Sequence, residues 1–194
     1  MNREYSRFAR LYDWSVKFLP VWKTWLKKVL PHIEGPRVLE ISFGTGYLMS
    51  CYAGDYDTTG LDYNERMVRT AAKNLNKKGL TAALMQGDVQ SLPFPDKSFD
   101  TVINTMAFSG YPDGEKAIGE IARVIKPGGR LLLLDFRVPP GGQRAGKALV
   151  RFMAAAGDII RDLPPLLEKA GFTFSQKEIG GFGSVGLFIG KKEK

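Results

Sequence analysis

Three carboxylates stand at or just beyond the ends of three apolar runs: Glu40 in ValLeuGluIle, Asp62 in GlyLeuAsp, and Asp88 in MetGlnGlyAsp. If those runs are adjacent parallel strands, the acids meet at one edge of a sheet, where ligands of open α/β sheets bind. An acid beside the first strand repels a pyrophosphate but suits a positively charged group. The second can accept hydrogen bonds from both ribose hydroxyls, and the third can meet the amino group of adenine. Together they describe a pocket for a nucleoside of cationic character. The loop that follows Glu40, SerPheGlyThrGly, supplies Gly44 and Gly46, but Met49 stands where a dinucleotide fingerprint requires its third glycine. Ser42 occupies the place where such loops usually carry their first glycine. If that backbone needs a positive φ, serine costs energy there; if not, its hydroxyl adds a donor. Taken singly, each acid has a plainer reading, Glu40 as a helix cap and Asp62 or Asp88 as a turn residue.

The elements that would position these residues follow from hydrophobic periodicity. Strands are expected at Arg37–Ser42, Thr58–Tyr63, Ala82–Gly87, Phe99–Met106 and Arg130–Phe136, with helices at Gly46–Ala53, Glu65–Lys78 and Gly114–Ile125 between them. Ala117, Ile118, Ile121, Ala122 and Ile125 recur at helical spacing behind a capping Asp113. Such alternation implies a parallel sheet with helices on both faces. The end of the chain departs from it. Pro164–Ala170 reads as a short helix closed by Gly171, and Phe172–Ile179 and Ser184–Gly190 flank GlyGlyPheGly as a hairpin.

The chain has 194 residues, enough for one core. A lone cysteine, Cys51, and a lone histidine, His32, argue against disulfides, metal cages and Ser-His-Asp hydrolysis, so no metal is expected. No apolar run reaches the roughly 18 residues of a membrane span, and MNREYSRFARLYD lacks the apolar centre of a signal peptide. A cytoplasmic protein is expected. The net charge of +8 is uneven: residues 1–37 carry eight basic against three acidic side chains, and residues 137–161 five against one. Either an anionic partner or solvated helix faces would account for it.

ValLeuGluIleSerPheGlyThrGly, GlyLeuAspTyrAsnGluArgMet, GlyAspValGlnSerLeuProPhe, SerPheAspThrValIle and ArgValIleLysProGlyGlyArgLeu occur in this order. In order and spacing they resemble the class I S-adenosylmethionine-dependent methyltransferases, in particular the group that includes the ubiquinone, menaquinone and phospholipid enzymes. The resemblance implies a Rossmann-like α/β fold: seven strands, mostly parallel, with a C-terminal antiparallel hairpin and helices on both faces. It implies S-adenosyl-L-methionine as cofactor and S-adenosyl-L-homocysteine as product. Gly44 and Gly46 would let the backbone approach the methionine part, with Glu40 near its amino group and Asn104 beside it. Asp62 would bind the ribose, Tyr63 and Met67 would flank the adenine, and Asp88 and Val89 would hold its edge. Met67 is equally a core residue by type.

The acceptor is bounded by what is missing. AsnThrMetAlaPheSerGlyTyrPro after the fourth strand is not the AsnProProTyr-like motif of enzymes that methylate exocyclic amines, and there is no Pro-Cys pair for attack on a pyrimidine. Nucleic acid is therefore disfavoured as substrate. An RNA or ribosome-associated methyltransferase remains the alternative on charge, and a non-catalytic cofactor-binding module the further alternative on Ser42. Residues 1–36 are expected to form a helical lid on the acceptor side of the methyltransferase domain, 37–194. Tyr12 and Asp13 match a Tyr-Asp pair of the quinone and lipid enzymes, and Tyr111 and Arg137 join them as acceptor-side candidates. Val21, Trp22, Trp25, Leu26, Val29 and Leu30 fall on one helical face and Lys23, Lys27 and Lys28 on the other. That pattern suits an interfacial helix against an anionic membrane and equally a lid packed on its own domain. In Arg144–Arg161, Ala148, Leu149, Phe152 and Met153 are expected to face one way. A basic, apolar mouth favours a small-molecule or lipid-like acceptor, with peripheral membrane contact.

Overall fold

The computed structural model describes residues 20–193. Seven strands form one sheet: β1 (Arg37–Ile41), β2 (Asp57–Asp62), β3 (Ala83–Gln86), β4 (Phe99–Thr105), β5 (Ile125–Phe136), β6 (Phe172–Gly180) and β7 (Val185–Lys192). Their order is β3-β2-β1-β4-β5-β7-β6. The first five are parallel, and β7 runs antiparallel to both β5 and β6. Successive strands run outward from β1 in one direction and then, from β4, in the other. That reversal leaves no crossover covering the carboxyl ends of β1 and β4, the place where open α/β sheets have their crevice.

Among the described residues five α-helices clothe the sheet: α1 (Pro20–Leu26), α2 (Glu65–Asn76), α3 (Gly114–Val124), α4 (Arg144–Ala156) and α5 (Leu163–Lys169). On one face Ile118 and Ile121 of α3 and Leu163 and Leu167 of α5 close over Leu39, Ile41, Val102, Leu131 and Leu133. On the other, Ala71 and Leu75 of α2 and Met153 of α4 close over Val38, Ile103, Leu132 and Leu134. Alternate β5 leucines thus serve opposite cores, as strand periodicity requires. Asn64 and Asp113 cap α2 and α3 by accepting the N–H groups of Arg66 and Lys116.

The expected helix over Gly46–Ala53 is instead a series of turns with one 3-10 turn, Met49–Cys51. Gly44 and Gly46 take positive φ at its entrance, and Tyr52 leaves helical geometry (φ −141°) while its hydroxyl reaches Glu40. Strand β5 begins at Ile125 rather than Arg130, because Ile125 pairs with Phe99 before LysProGlyGly loops out and Arg130 pairs with Thr101. In α4 the expected facing holds for Leu149 and Met153 but not for Ala148 and Phe152, which face solvent. Gly146 sets that phase: a Cβ there would lie 2.2 Å from the Phe182 carbonyl oxygen in the β6–β7 turn. Helix α1 lies on its own domain, with Trp22, Trp25 and Leu26 against the second core, and the 3-10 turn that follows, Lys27–His32, adds Leu30 and the fully buried Val29.

Since neither backbone can move aside independently, Gly146→Ala should destabilise the protein by roughly 1–3 kcal/mol. A melting temperature equal to wild type would show that α4 does not rest on the hairpin.

Candidate functional site

The turn after β1 takes left-handed backbone at Ser42 (φ 57°), Gly44 (φ 56°) and Gly46 (φ 72°). Only glycine adopts that region without penalty, so the positive φ at Ser42 is a real cost of the loop. The turn is tied to β2: Ser42 donates its N–H to the Leu61 carbonyl at 2.7 Å, and Gly44 donates to Asp62 Oδ2 at 2.8 Å. Asp62 Oδ1 accepts the Asn64 N–H, also at 2.8 Å. Burial pushes the Asp62 carboxyl up, and these two N–H groups pull it back. Gly46 is needed for packing, since a Cβ would lie 2.9 Å from that of Ala71 on α2. Gly44 faces open space, with nothing within 4 Å of its Cβ position. One glycine lets the loop sit on a helix; the other leaves room beside the crevice.

Glu40 is 1% exposed and accepts a hydrogen bond from the Tyr52 hydroxyl at 2.8 Å. Burial raises its carboxyl to about 8, against the Tyr52 bond and assisted by the charge of Asp62. An acid held that high is poised to ionise when a cation arrives. Asp88 lies beyond β3 and caps the 3-10 turn Val89–Ser91 by accepting the Gln90 N–H at 2.8 Å, with Val89 buried beneath. Tyr63 is 75% exposed and Met67 half-buried, one just past β2 and one in the first turn of α2.

Asn104, opposite Ile41 in the β1–β4 register, is fully buried. Its amide donates to the Ile41 carbonyl (3.3 Å) and to the Tyr111 hydroxyl (2.6 Å). Tyr111 Oη is in turn 2.7 Å from Ser42 Oγ. Among the described residues Asn104 Oδ1 has no partner, a buried acceptor without a donor. Such a group costs about 1–3 kcal/mol until something donates to it. Thus the structure joins Ser42, Asn104 and Tyr111 in one hydrogen-bonded chain across the crevice.

The segment after β4 is held by residues that sequence reasoning passed over. Asp135, at the end of β5 and 1% exposed, accepts the N–H groups of Ser109 (3.1 Å) and Phe136 (2.6 Å), and burial lifts its carboxyl to about 6. Ser109 Oγ donates to Asp158 at 3.0 Å. Arg161 donates to the carbonyls of Phe108, Tyr111 and Pro112 and lies over the Phe108 ring. The signal for Asp135 was present, since it ends an apolar run as Glu40 and Asp62 do. Arg161 gave none, because a basic residue in a basic stretch reads as surface. Arg137 is likewise occupied, donating to Gly183 (3.1 Å) and Gln176 (3.0 Å) on the hairpin. Tyr12 and Asp13 lie outside the described residues. Among the described residues no group of three or more His, Cys, Asp or Glu could hold a metal ion.

Residues 39–133 match the methyltransferase domain family. The chain is 33% identical over 163 residues to phosphatidylethanolamine N-methyltransferase of Cereibacter sphaeroides, covering 81% of this chain and 79% of that one. It belongs to the class I S-adenosylmethionine-dependent methyltransferases. Demethylmenaquinone methyltransferase of Thermus thermophilus is 38% identical over 109 residues, 55% of this chain and 50% of its own, so the chain spans about half of that relative. Among solved structures, the YcgJ protein of Bacillus subtilis superposes with a TM-score of 0.73 at 21% identity, over 88% of this chain and 99% of that one. It shares the fold. S-adenosylmethionine is the methyltransferase's cofactor, and the site suits it: a buried acid for a cation, an acceptor lacking a donor, and open space at Gly44.

Glu40 supplies a pH test. Unfolded, its carboxyl is ionised above about pH 6; folded and ligand-free, it keeps its proton up to about 8. The folded state then binds more protons, so stability falls as pH rises from 6.5 to 8, by at most about 1.4 kcal/mol per unit. Thermal melts of Glu40→Gln should lack that component and exceed wild type at pH 8. Equal slopes in both proteins would contradict the assignment.

Proposed function

We propose that the protein methylates an amphiphilic, lipid-like small molecule at the β1–β4 crevice. In this reading Glu40 and Asn104 face the ammonium of S-adenosylmethionine, Asp62 accepts from both ribose hydroxyls, and Tyr63 and Met67 flank the adenine. Asp88 and the Val89 backbone meet its edge, and Gly44 and Gly46 make space for the methionine chain. When bound, S-adenosylmethionine supplies an electrophilic methyl carbon on sulfur. The residues contribute alignment and exclusion of water, which in ideal cases is worth several kcal/mol. Burial keeps the Tyr111 hydroxyl protonated, so it positions groups rather than abstracting protons. Residues 20–36 would cap the acceptor side as a lid; the expected lid residues 1–19 lie outside the described residues.

One observation carries the choice of acceptor. Residues 137–157 contain no acid, and within them Arg144, Lys147 and Arg151 are exposed. Beside them stand exposed apolar side chains, Val138 (63%) beyond β5, Phe152 (59%) on α4 and Phe182 (68%) in the hairpin turn packed against α4. Cations interleaved with aliphatic and aromatic groups suit an acyl chain under an anionic headgroup. Phosphate contacts alone would not call for the apolar ones. Trp22 and Trp25 of α1, by contrast, are partly buried against the domain. That the relatives' names include a phospholipid and a quinone precursor as acceptors agrees with a lipid-like acceptor. No helix among the described residues is long and apolar enough to cross a membrane, so contact with a bilayer would be peripheral.

Incubation with methyl-labelled S-adenosylmethionine and a cell extract should place the label in the organic phase. Label in RNA would overturn the lipid reading and favour an RNA methyltransferase. Asp62→Asn should weaken S-adenosylhomocysteine binding roughly 10–100-fold by calorimetry, the loss of about 1.5–3 kcal/mol from one charged hydrogen-bond acceptor. Lys147→Glu combined with Arg151→Glu should leave that affinity unchanged while cutting transfer to vesicle-borne acceptors several-fold.

A further inference from the structure

Ser42 is the residue whose presence costs the loop most and whose role the fold alone does not explain. Its φ of 57° would suit glycine, yet it carries a side chain. The hydrogen bonds around it can be assigned a direction. Asn104 Nδ2 must face the Ile41 carbonyl, because the amide oxygen turned there would meet another acceptor. Nδ2 is a donor only, so the Tyr111 oxygen accepts from it at 2.6 Å. The Tyr111 hydroxyl keeps its proton, since burial pushes its ionisation well up. Ser42 Oγ, at 2.7 Å, is the acceptor within its reach. The Ser42 oxygen is thus occupied as acceptor while its own proton is unassigned. Among the described residues the chain ends on an O–H with no acceptor, two residues before Gly44 and its open space. At its other end is the unpaired Asn104 Oδ1. One end offers a donor and the other an acceptor.

We propose that Ser42 is a cofactor-binding residue that donates its hydroxyl proton to the carboxylate of the methionine moiety, with its orientation set by Tyr111 and Asn104. This rests on the placement of the cofactor at the β1–β4 crevice. An amino acid end carries both an anionic acceptor and a cationic donor, and the chain from Ser42 to Asn104 offers the complement of each. The left-handed strain at Ser42 is retained because glycine in its place would have no hydroxyl to give.

The test compares ligands that differ only at that end. Calorimetry would give the affinities of S-adenosylhomocysteine and of 5′-methylthioadenosine, which lacks the amino acid, for wild type, Ser42→Ala, Ser42→Gly and Tyr111→Phe. Ser42→Ala should lose about tenfold for S-adenosylhomocysteine, as expected for one hydrogen bond to a charged group. It should leave 5′-methylthioadenosine unchanged. Ser42→Gly should show the same selective loss while melting a few degrees higher, because the strain is relieved. Tyr111→Phe should lose a smaller factor with the same selectivity. Equal weakening of both ligands by Ser42→Ala, or no weakening of either, would overturn the proposal. If wild type binds neither ligand, the cofactor placement itself fails, and that outcome is distinct from the others.

Discussion

The hydrogen bond from the Gly44 N–H to Asp62 is the interaction on which the site depends. It joins the loop leaving β1 to the end of β2, 18 residues later, at 2.8 Å. Together with the Ser42 N–H on the Leu61 carbonyl, it holds the left-handed residues Ser42, Gly44 and Gly46 in one arrangement. The same carboxylate accepts the N–H of Asn64, the residue that caps α2. One acid therefore fixes the turn, the helix entrance and the edge of the crevice together. Asp62 keeps little exposure, yet its second lone pairs remain for a ligand's hydroxyls. An acid used in this way is structural and functional at once, so removing it tests both roles.

Around that anchor the crevice is polarised. Glu40, Asp62 and Asp135 are buried acids at the carboxyl ends of three parallel strands, and burial raises all three. Each is satisfied differently. Glu40 has the Tyr52 hydroxyl, Asp62 has two backbone N–H groups, and Asp135 has the N–H groups of Ser109 and Phe136. Glu40 has the fewest donors, and burial raises its carboxyl to about 8 against about 6 for Asp135, which marks it as a group with much to gain from a cationic ligand. Asp135 acts on the loop instead, with Asp158 and Arg161 completing its support. Binding chemistry and loop support are thus divided among acids that look alike in sequence.

Much of this was legible beforehand because strand length and strand-end chemistry are local. The runs from Arg37, Thr58, Phe99 and Arg130 lie in the sheet as their apolar content requires, and Asp113 caps α3 from its own sequence position. What could not be read depends on contacts between distant residues. Helical spacing in Gly46–Ala53 gave way to turns where Tyr52 reaches Glu40. The phase of α4 follows from Gly146 against Phe182, 36 positions away, so Phe152 faces out where pattern alone turned it in. An amphipathic α1 fits a membrane or its own domain equally well by pattern, and the contacts of Trp22 and Trp25 with the second core are between residues far apart in sequence. Arg137, expected on the acceptor side, is engaged with the hairpin, and Arg161, which reads as surface charge, is engaged with carbonyls. Among the described residues, exposed basic side chains remain on α4 (Arg144, Lys147, Arg151) and at Lys23, Lys27 and Lys28.

The most direct measurement is amide hydrogen exchange across the chain with and without S-adenosylhomocysteine. A cofactor seated at the β1–β4 crevice should slow exchange in four segments, residues 40–46, 62–67, 88–91 and 104–111, and leave β6 and the hairpin unchanged. Protection confined to other segments, or none at saturating ligand, would contradict the placement of the site.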